Sequence, residues 1–404
     1  MSEWKKVKLG EIADTIQTGP FGSQLHQSDY SEFGTPVVMP KDIVNGKIHV
    51  SSIARVESHH VKRLSRHKIS EGDILYSRRG DVGKCAYTDN SQKGWLCGTG
   101  CLRVTIDTSK ALPKFVFFQL QKKDTIGWIE KHAIGATMLN LNTSILSNVP
   151  IELPPFATQQ RIATILSRYD SLIENYQKQI KLLEESAQRL YKEWFIDLRF
   201  PGYENTKIVD GIPDGWEKKK IKDLVDLKSG YAFKSSAFVE KGKYKIVTIK
   251  NVKDGVFDGD NVSYLNSVPE KMPSHCILQT GDILLSLTGN VGRICMVVGD
   301  NYLLNQRVAK LESKFPAFTY CLFRHYDTFV AINNLANGAA QQNVSPIRIG
   351  EMDMLVANDK IMHHFEKAAE NIRTNILNLF SQIRHLTEAR DRLLPKLMSG
   401  EIEV

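Results

Sequence analysis

The sequence predicts an α+β fold: two mixed, β-rich modules joined by two long helices that pair as an antiparallel coiled coil, with a pseudo-twofold internal repeat. Three observations predict it. Gly72-Asp-Ile-Leu-Tyr-Ser-Arg-Arg-Gly-Asp-Val-Gly-Lys84 returns as Gly281-Asp-Ile-Leu-Leu-Ser-Leu-Thr-Gly-Asn-Val-Gly-Arg293, identical at eight of thirteen positions. Weaker matches flank the two copies in the same order. After each copy comes a long stretch whose apolar residues step by four and three. A period near half of the 404 residues means two copies of one module, because solenoid repeats recur every ~20–50 residues.

The modules can be followed element by element. Trp4-Lys-Lys-Val-Lys-Leu-Gly-Glu-Ile-Ala-Asp matches Trp216-Glu-Lys-Lys-Lys-Ile-Lys-Asp-Leu-Val-Asp, an opening strand or turn followed by a short helix. Val37 to Ile48 matches Ile246 to Phe257, and the two segments carry Asn45-Gly46 and Asp254-Gly255. Both pairs predict hairpin turns whose two central residues take positive φ. Gly72, Gly80, Gly83, Gly281, Gly289 and Gly292 read as turns where no Cβ fits. Leu102-Arg-Val104 matches Gln306-Arg-Val308. Pro113 and Pro316 each open a helix expected to reach Ile129 and Ile332, and Gly135-Ala-Thr137 matches Gly338-Ala-Ala340.

The first long helix carries Ile162, Leu166, Tyr169, Ile173, Tyr176, Ile180, Leu183, Ala187, Leu190 and Trp194, a heptad seam bounded by Pro154-Pro155 and Pro201-Gly202. Shifting by 203 gives Phe365, Ala369, Ile372, Ile376, Leu379, Ile383, Leu386, Arg390, Leu393 and Leu397, with Arg390 the one polar intrusion. Each seam needs a partner to bury it, and each helix is the other's candidate; a second chain is the alternative.

Net charge is +8, and its location is informative. Residues 1–150 hold 20 Lys/Arg against 14 Asp/Glu and residues 211–355 hold 18 against 15, while 158–197 and 356–404 balance. Positive charge therefore sits in the modules, which favours contact with a polyanion. The six cysteines contain no Cys-x-x-Cys pair and read as reduced, mostly buried thiols. No apolar run reaches eighteen residues and no signal peptide opens the chain, so no membrane is expected and the cytoplasm is the expected location.

Catalytic chemistry is not legible. Gly80-Asp-Val-Gly83-Lys84-Cys85 lacks the first glycine and the Ser or Thr of a phosphate-binding loop. Leu153-Pro154-Pro155-Phe156 has no amide or carboxylate to hold an adenine amino group. Pro213-Asp214 stands only two residues before Glu217-Lys218-Lys219, too close for a nuclease pair from adjacent strands. His59-His60 and His363-His364 are neighbours in sequence, a spacing expected to put them on different faces. The chain reads as a binder.

Two Gly-Asp-Ile-Leu-x-Ser-x-x-Gly-x-Val-Gly modules alternating with two long helices resemble the specificity subunits of type I restriction-modification enzymes, the HsdS family. The most specific part is Pro154-Pro155-Phe156-Ala-Thr-Gln-Gln-Arg-Ile-Ala-Thr-Ile-Leu166. The resemblance implies target-recognition domains at 1–153 and 201–357, each reading one half of a bipartite, asymmetric site in double-stranded DNA. It implies that the helices, 154–200 and 358–404, set the spacer and dock two methyltransferase subunits, with two restriction subunits joining optionally. S-adenosylmethionine is then expected on the methyltransferase subunits, ATP and magnesium on the restriction subunits, and no cofactor or catalytic residue in this chain. The second helix lacks the Pro-Pro and Gln-Gln-Arg of the first, so the two docking surfaces are expected to be unequal.

Candidate DNA-binding residues in the first module are Thr18, Gly19, Phe21, Ser23, Lys41, Arg78, Arg79 and Thr137. In the second they are Ser229, Gly230, Tyr231, Lys234, Lys250, Thr288, Asn290, Gln341 and Gln342. Arg can bridge two acceptors of guanine, Gln or Asn can do so for adenine, and Lys holds phosphates. For Phe21, Tyr231 and Phe233 the competing expectation is burial in the module core. Two other functions fit the residues: a stand-alone DNA binder such as a repressor, and an adaptor whose modules never touch DNA.

Overall fold

A four-stranded antiparallel sheet anchors each module, and the two sheets are strand-for-strand equivalents. In the first it runs Ala13–Thr18, Cys101–Ile106, Ile74–Ser77, Cys85–Tyr87; in the second Val225–Ser229, Val308–Ser313, Ile283–Ser286, Ile294–Met296. The computed structural model describes residues 4–135, 138–336 and 342–404. It divides into two units, one made of Met1–Ser171 with Thr387–Val404, the other of Leu172–Leu386.

In the first unit a second four-stranded sheet orders Leu96–Cys97, Thr35–Val38, Ala54–Val56 and Tyr30–Ser31, with only the first pair parallel. In the second unit the order is Ser263–Leu265, Tyr244–Val247, Tyr302–Leu304, Ile277–Leu278, with Tyr244–Val247 parallel to Tyr302–Leu304. Two-stranded ribbons close the base of each module, Lys5–Lys8 on Pro150–Leu153 and Glu217–Lys220 on Asp353–Val356. The central strands Ile74–Ser77 and Ile283–Ser286 are buried throughout, which is why they read as apolar runs rather than alternations.

The ladders correct one match made from the sequence. Cys101 pairs with Ser77 and Val308 with Ser286, so Arg103 corresponds to Lys310, not to Arg307. An ion pair repeats at that position: Arg103 lies 3.4 Å from Asp73 and Lys310 lies 3.0 Å from Asp282. The glycine turns fold largely as expected. Gly72, Gly80, Gly281, Gly289 and Gly292 take positive φ, whereas Gly83 does not and is needed for space, since a Cβ there would meet Ile126 at 2.7 Å.

Asn45 and Gly46 both take positive φ between the paired strands Ile43–Val44 and Lys47–Ile48. At the second turn only Gly255 does, so Asp254-Gly255 is not the expected type I′ turn. The helices opened by Pro113 and Pro316 are also shorter than expected. Each breaks into two, Pro113–Leu120 with Lys123–His132 and Pro316–Arg324 with Tyr326–Leu335. Lys122 and His325 are extended at the breaks, and the turn lets Ile129 and Ile332 reach cores that a straight rod would bypass.

The long helices span Phe156–Tyr191 and Asp359–Met398. Gln159 pins the start of the first: it accepts from the Leu112 amide at 2.9 Å and donates to the Pro154 carbonyl at 2.9 Å. In the first unit Ile162 and Leu166 are buried with Leu397 and Met398, Leu393 packs beside them, and Arg390 meets Asp170 at 2.9 Å. In the second unit Ile180 is buried among Leu183, Leu190, Ile372, Ile376, Leu379 and Ile383, and the Phe195 and Phe365 rings lie 4.9 Å apart. Early residues of one helix thus meet late residues of the other within each unit, the order of an antiparallel pair. Ile173 is buried, and Tyr169, Tyr176 and Leu386 are half-buried. The first helix ends in a π-helical turn, Lys192–Ile196, beside the aromatic core of Tyr191, Phe195, Phe200, Trp216 and Phe318.

Candidate nucleic-acid interface

Four chain segments converge at the glycine turn of each module, and backbone hydrogen bonds fix them. In the first, the Gly80 amide donates to the Leu139 carbonyl at 3.0 Å, Leu141 to Arg78 at 2.8 Å, and Arg78 to Gly100 at 2.8 Å. In the second, Gly289 donates to Gln342 at 2.8 Å, Val344 to Leu287 at 2.9 Å, and Leu287 to Arg307 at 3.0 Å. The fourth segment is the opening loop, where Gly19 donates to Cys101 at 2.9 Å and Gly230 to Val308 at 3.2 Å. Both glycines exist for close approach. A Cβ on Gly19 would stand 2.0 Å from the Gly98 carbonyl oxygen, and one on Gly230 would stand 2.4 Å from that of Asn305.

The side chains on this shared frame differ. In the first module Arg79, Phe21, Ser23 and Lys41 are exposed, Arg78 and Thr18 half-buried, and Gly19 buried. The Arg78 guanidinium lies over the Phe21 ring, 5.9 Å from its centre. Phe21 is 53% exposed, so the expectation of core burial is wrong: its loop turns outward as Gln24 and Leu25 fold back on the Phe21 carbonyl. Lys41 sits on the turn Pro40–Asp42 and donates to the Ser52 carbonyl at 3.1 Å. Lys250 holds the equivalent place, exposed, in a loop braced by the buried Asn251.

In the second module Ser229, Lys234, Asn290 and Gln342 are exposed, and Gly230 is partly covered. Tyr231 and Phe233 are half-buried, their rings 5.2 Å apart at the edge of the core. Thr288 is only 8% exposed and its hydroxyl donates to Asn343 Oδ1 at 2.9 Å, so the position opposite Arg79 faces inward. Thr137 and Gln341 lie outside the described residues. Asn140 and Asn343, absent from the sequence-based set, are paired across the turn with Arg79 and Thr288 respectively. Extending the Gly135/Gly338 match to these two asparagines would have found them.

All six cysteines are buried and free; burial pushes the Cys85 and Cys97 thiols up to about 12, so they stay protonated at neutral pH. The His59 and His60 rings lie 3.9 Å apart, contrary to the expectation that neighbours face apart, with His60 also 3.9 Å from Asp29. Among the described residues no group of three His, Cys, Asp or Glu could hold a metal ion. No helix of the described residues is long and apolar enough to cross a membrane.

Comparison with known proteins bears on this geometry. The family model described as the type I restriction modification DNA specificity domain matches residues 1–185 and 213–351. The MjaIX type I restriction enzyme specificity subunit of Methanocaldococcus jannaschii is 26% identical, over 99% of this chain and 93% of its own. The HindI specificity subunit of Haemophilus influenzae is 23% identical over the full length of both. A type I restriction-modification S subunit structure from M. genitalium shares the fold at a TM-score of 0.59, with 19% identity, covering 98% of this chain and 96% of that one.

Proposed function

Since the chain belongs to the type I restriction-modification DNA specificity family, we propose that each of its modules reads one half of a bipartite, asymmetric DNA site. In this reading, residues 1–153 and 201–357 are the target-recognition domains. The helices within 154–200 and 358–404 set the spacer between half-sites and dock two methyltransferase subunits, through which two restriction subunits can join. The observation that carries the reading is the repeated convergence of four segments on one frame with different side chains, Arg78 and Arg79 in one copy and Leu287 and Thr288 in the other. A shared frame keeps the approach to the duplex the same, while changed side chains change which base edges are matched.

The chain itself is non-catalytic in this account. S-adenosylmethionine belongs to the methyltransferase subunits, ATP and magnesium to the restriction subunits, and the assembly works on DNA in the cytoplasm. Basic residues outside the cluster, Lys41 and Lys250 among them, hold phosphates and fix the register.

The test is a single-molecule methylation map of the host genome with the gene present and deleted. The expected result is loss of N6-methyladenine at one split, asymmetric motif. An unchanged map, in cells shown to express the chain and an adenine methyltransferase partner, overturns the reading.

A further inference from the structure

Among the described residues six buried polar atoms of the first module have no hydrogen-bond partner, and three of them adjoin the glycine-turn frame: Arg78 Nε, Thr99 Oγ1 and Asn140 Oδ1. They belong to one place. Thr99 adjoins Gly100, whose carbonyl receives the Arg78 amide, and Asn140 adjoins Leu141, whose amide donates to the Arg78 carbonyl. Folded proteins leave few such atoms unmet, because each one costs free energy that water or a neighbour would recover. Three together mark a place whose side chains gain by turning outward to a partner. The exposed Phe21 ring beneath the Arg78 guanidinium adds a flat support that orients the charged fork.

Among the described residues the second module has no such atom at the equivalent positions. Leu287 replaces Arg78, exposed Gln306 replaces Thr99, and Asn343 Oδ1 already accepts from Thr288. Among the described residues the two copies thus differ at this place: Thr288 and Asn343 satisfy each other in one, while Arg78 Nε and Asn140 Oδ1 stay unmet in the other.

We propose that Arg78 and Asn140, with Phe21 bracing the guanidinium, read a G·C pair in the major groove of the half-site bound by the first module. The inference rests on the specificity-subunit reading and deepens it. Guanine is the base that offers two adjacent acceptors, O6 and N7, to one planar fork, which is what Arg presents. The paired cytosine offers its N4 amino group as a donor, which matches the unmet Asn140 acceptor. Arg79, exposed beside Asn140, is left for the backbone.

The test uses the chain co-purified with its methyltransferase partner and duplexes built on the motif from the methylation map. Each G·C pair of one half-site is changed in turn to A·T, and each guanine to 7-deazaguanine, which lacks the N7 acceptor. The wild-type complex should lose about ten- to a hundred-fold in affinity at one G·C position with either change. Arg78→Ala should bind the original and changed duplexes alike at that position and keep full selectivity in the other half-site. Asn140→Ala, measured beside it, should relax the same position and covers the case that Arg78→Ala does not fold. If wild type discriminates but both variants discriminate equally well, the assignment is wrong while the specificity reading survives. Relaxation at an A·T position also overturns it. A wild-type complex without sequence preference overturns the specificity reading itself.

Discussion

Arg390 Nη1 lies 2.9 Å from the carboxylate of Asp170, both side chains about a quarter exposed, at the one seam position where the heptads carry a charge. The ion pair explains how the seam tolerates Arg390. Removing Asp170 leaves Arg390 with the exposed Asp391 alone, 2.8 Å away, and a part-covered charge that has lost a partner costs more than the pair contributes. Asp170→Ala should therefore lower stability by about 1–2 kcal/mol, and Asp170→Ala with Arg390→Leu should recover most of it. Urea unfolding measures both; a single variant as stable as wild type would show the pair to be idle.

Glu312 gives a pH dependence with a defined sign. The hydrogen bond from Lys228 holds its carboxyl below the ordinary 4.5, opposed by partial burial and reinforced by Lys310. The unfolded chain then binds the proton more readily, so the contribution is present above about pH 4.5 and is lost as pH falls through the lower folded value. Glu312→Gln should melt below wild type at pH 7, and the gap should close as the solution is acidified. A gap independent of pH would remove the ionic explanation.

Gly19→Ala and Gly230→Ala should each disturb one module, since the added carbon meets a carbonyl that cannot step aside. The expected cost is about 2–3 kcal/mol. Denaturant unfolding of the two variants should show the loss, and midpoints at the wild-type value would mean that the opening loops yield.

Ile180→Asp places a carboxylate in the seam of the second unit, where Ile180 is 7% exposed. A loss of about 3–5 kcal/mol is expected. The readout is helical content on heating together with co-purification of the methyltransferase partner. Retention of both would contradict the packing role of the seam.

Lys41→Ala and Lys250→Ala separate backbone contact from base reading. Each lost phosphate contact should flatten the dependence of log affinity on log salt by about 0.9 and leave the preferred sequence unchanged. A variant that changes the preferred bases instead would move its lysine into the recognition set.

The repeat and the seams were legible because both are periodic in the chain itself. Glycine turns return the same letters, and steps of four and three describe a helix face. The errors fall where distant contacts decide. The short match around Arg103 was drawn to Arg307 by a shared Arg-Val, but the ladder to the central strand sets the register and selects Lys310. Lys122 and His325 are ordinary helix residues by propensity, and only the need to wrap two apolar faces onto a core breaks the chain there. Thr288 looked like a surface hydroxyl until Asn343, 55 residues later, accepted its hydrogen bond. Thr99 had no signal at all, since an unmet hydrogen bond exists only in three dimensions, and Asn140 was reachable only by extending the Gly135/Gly338 match.

The first unit draws on both ends of the chain, with Leu397 and Met398 almost wholly covered in the core that holds Leu9 and Ile162. The second unit is one uninterrupted stretch. A ribosome therefore delivers every residue of the second unit before the first can close, because the first waits for Leu397 and Met398. A stop codon at Pro395 would strike the half of the protein whose gene segment lies farthest from the lesion.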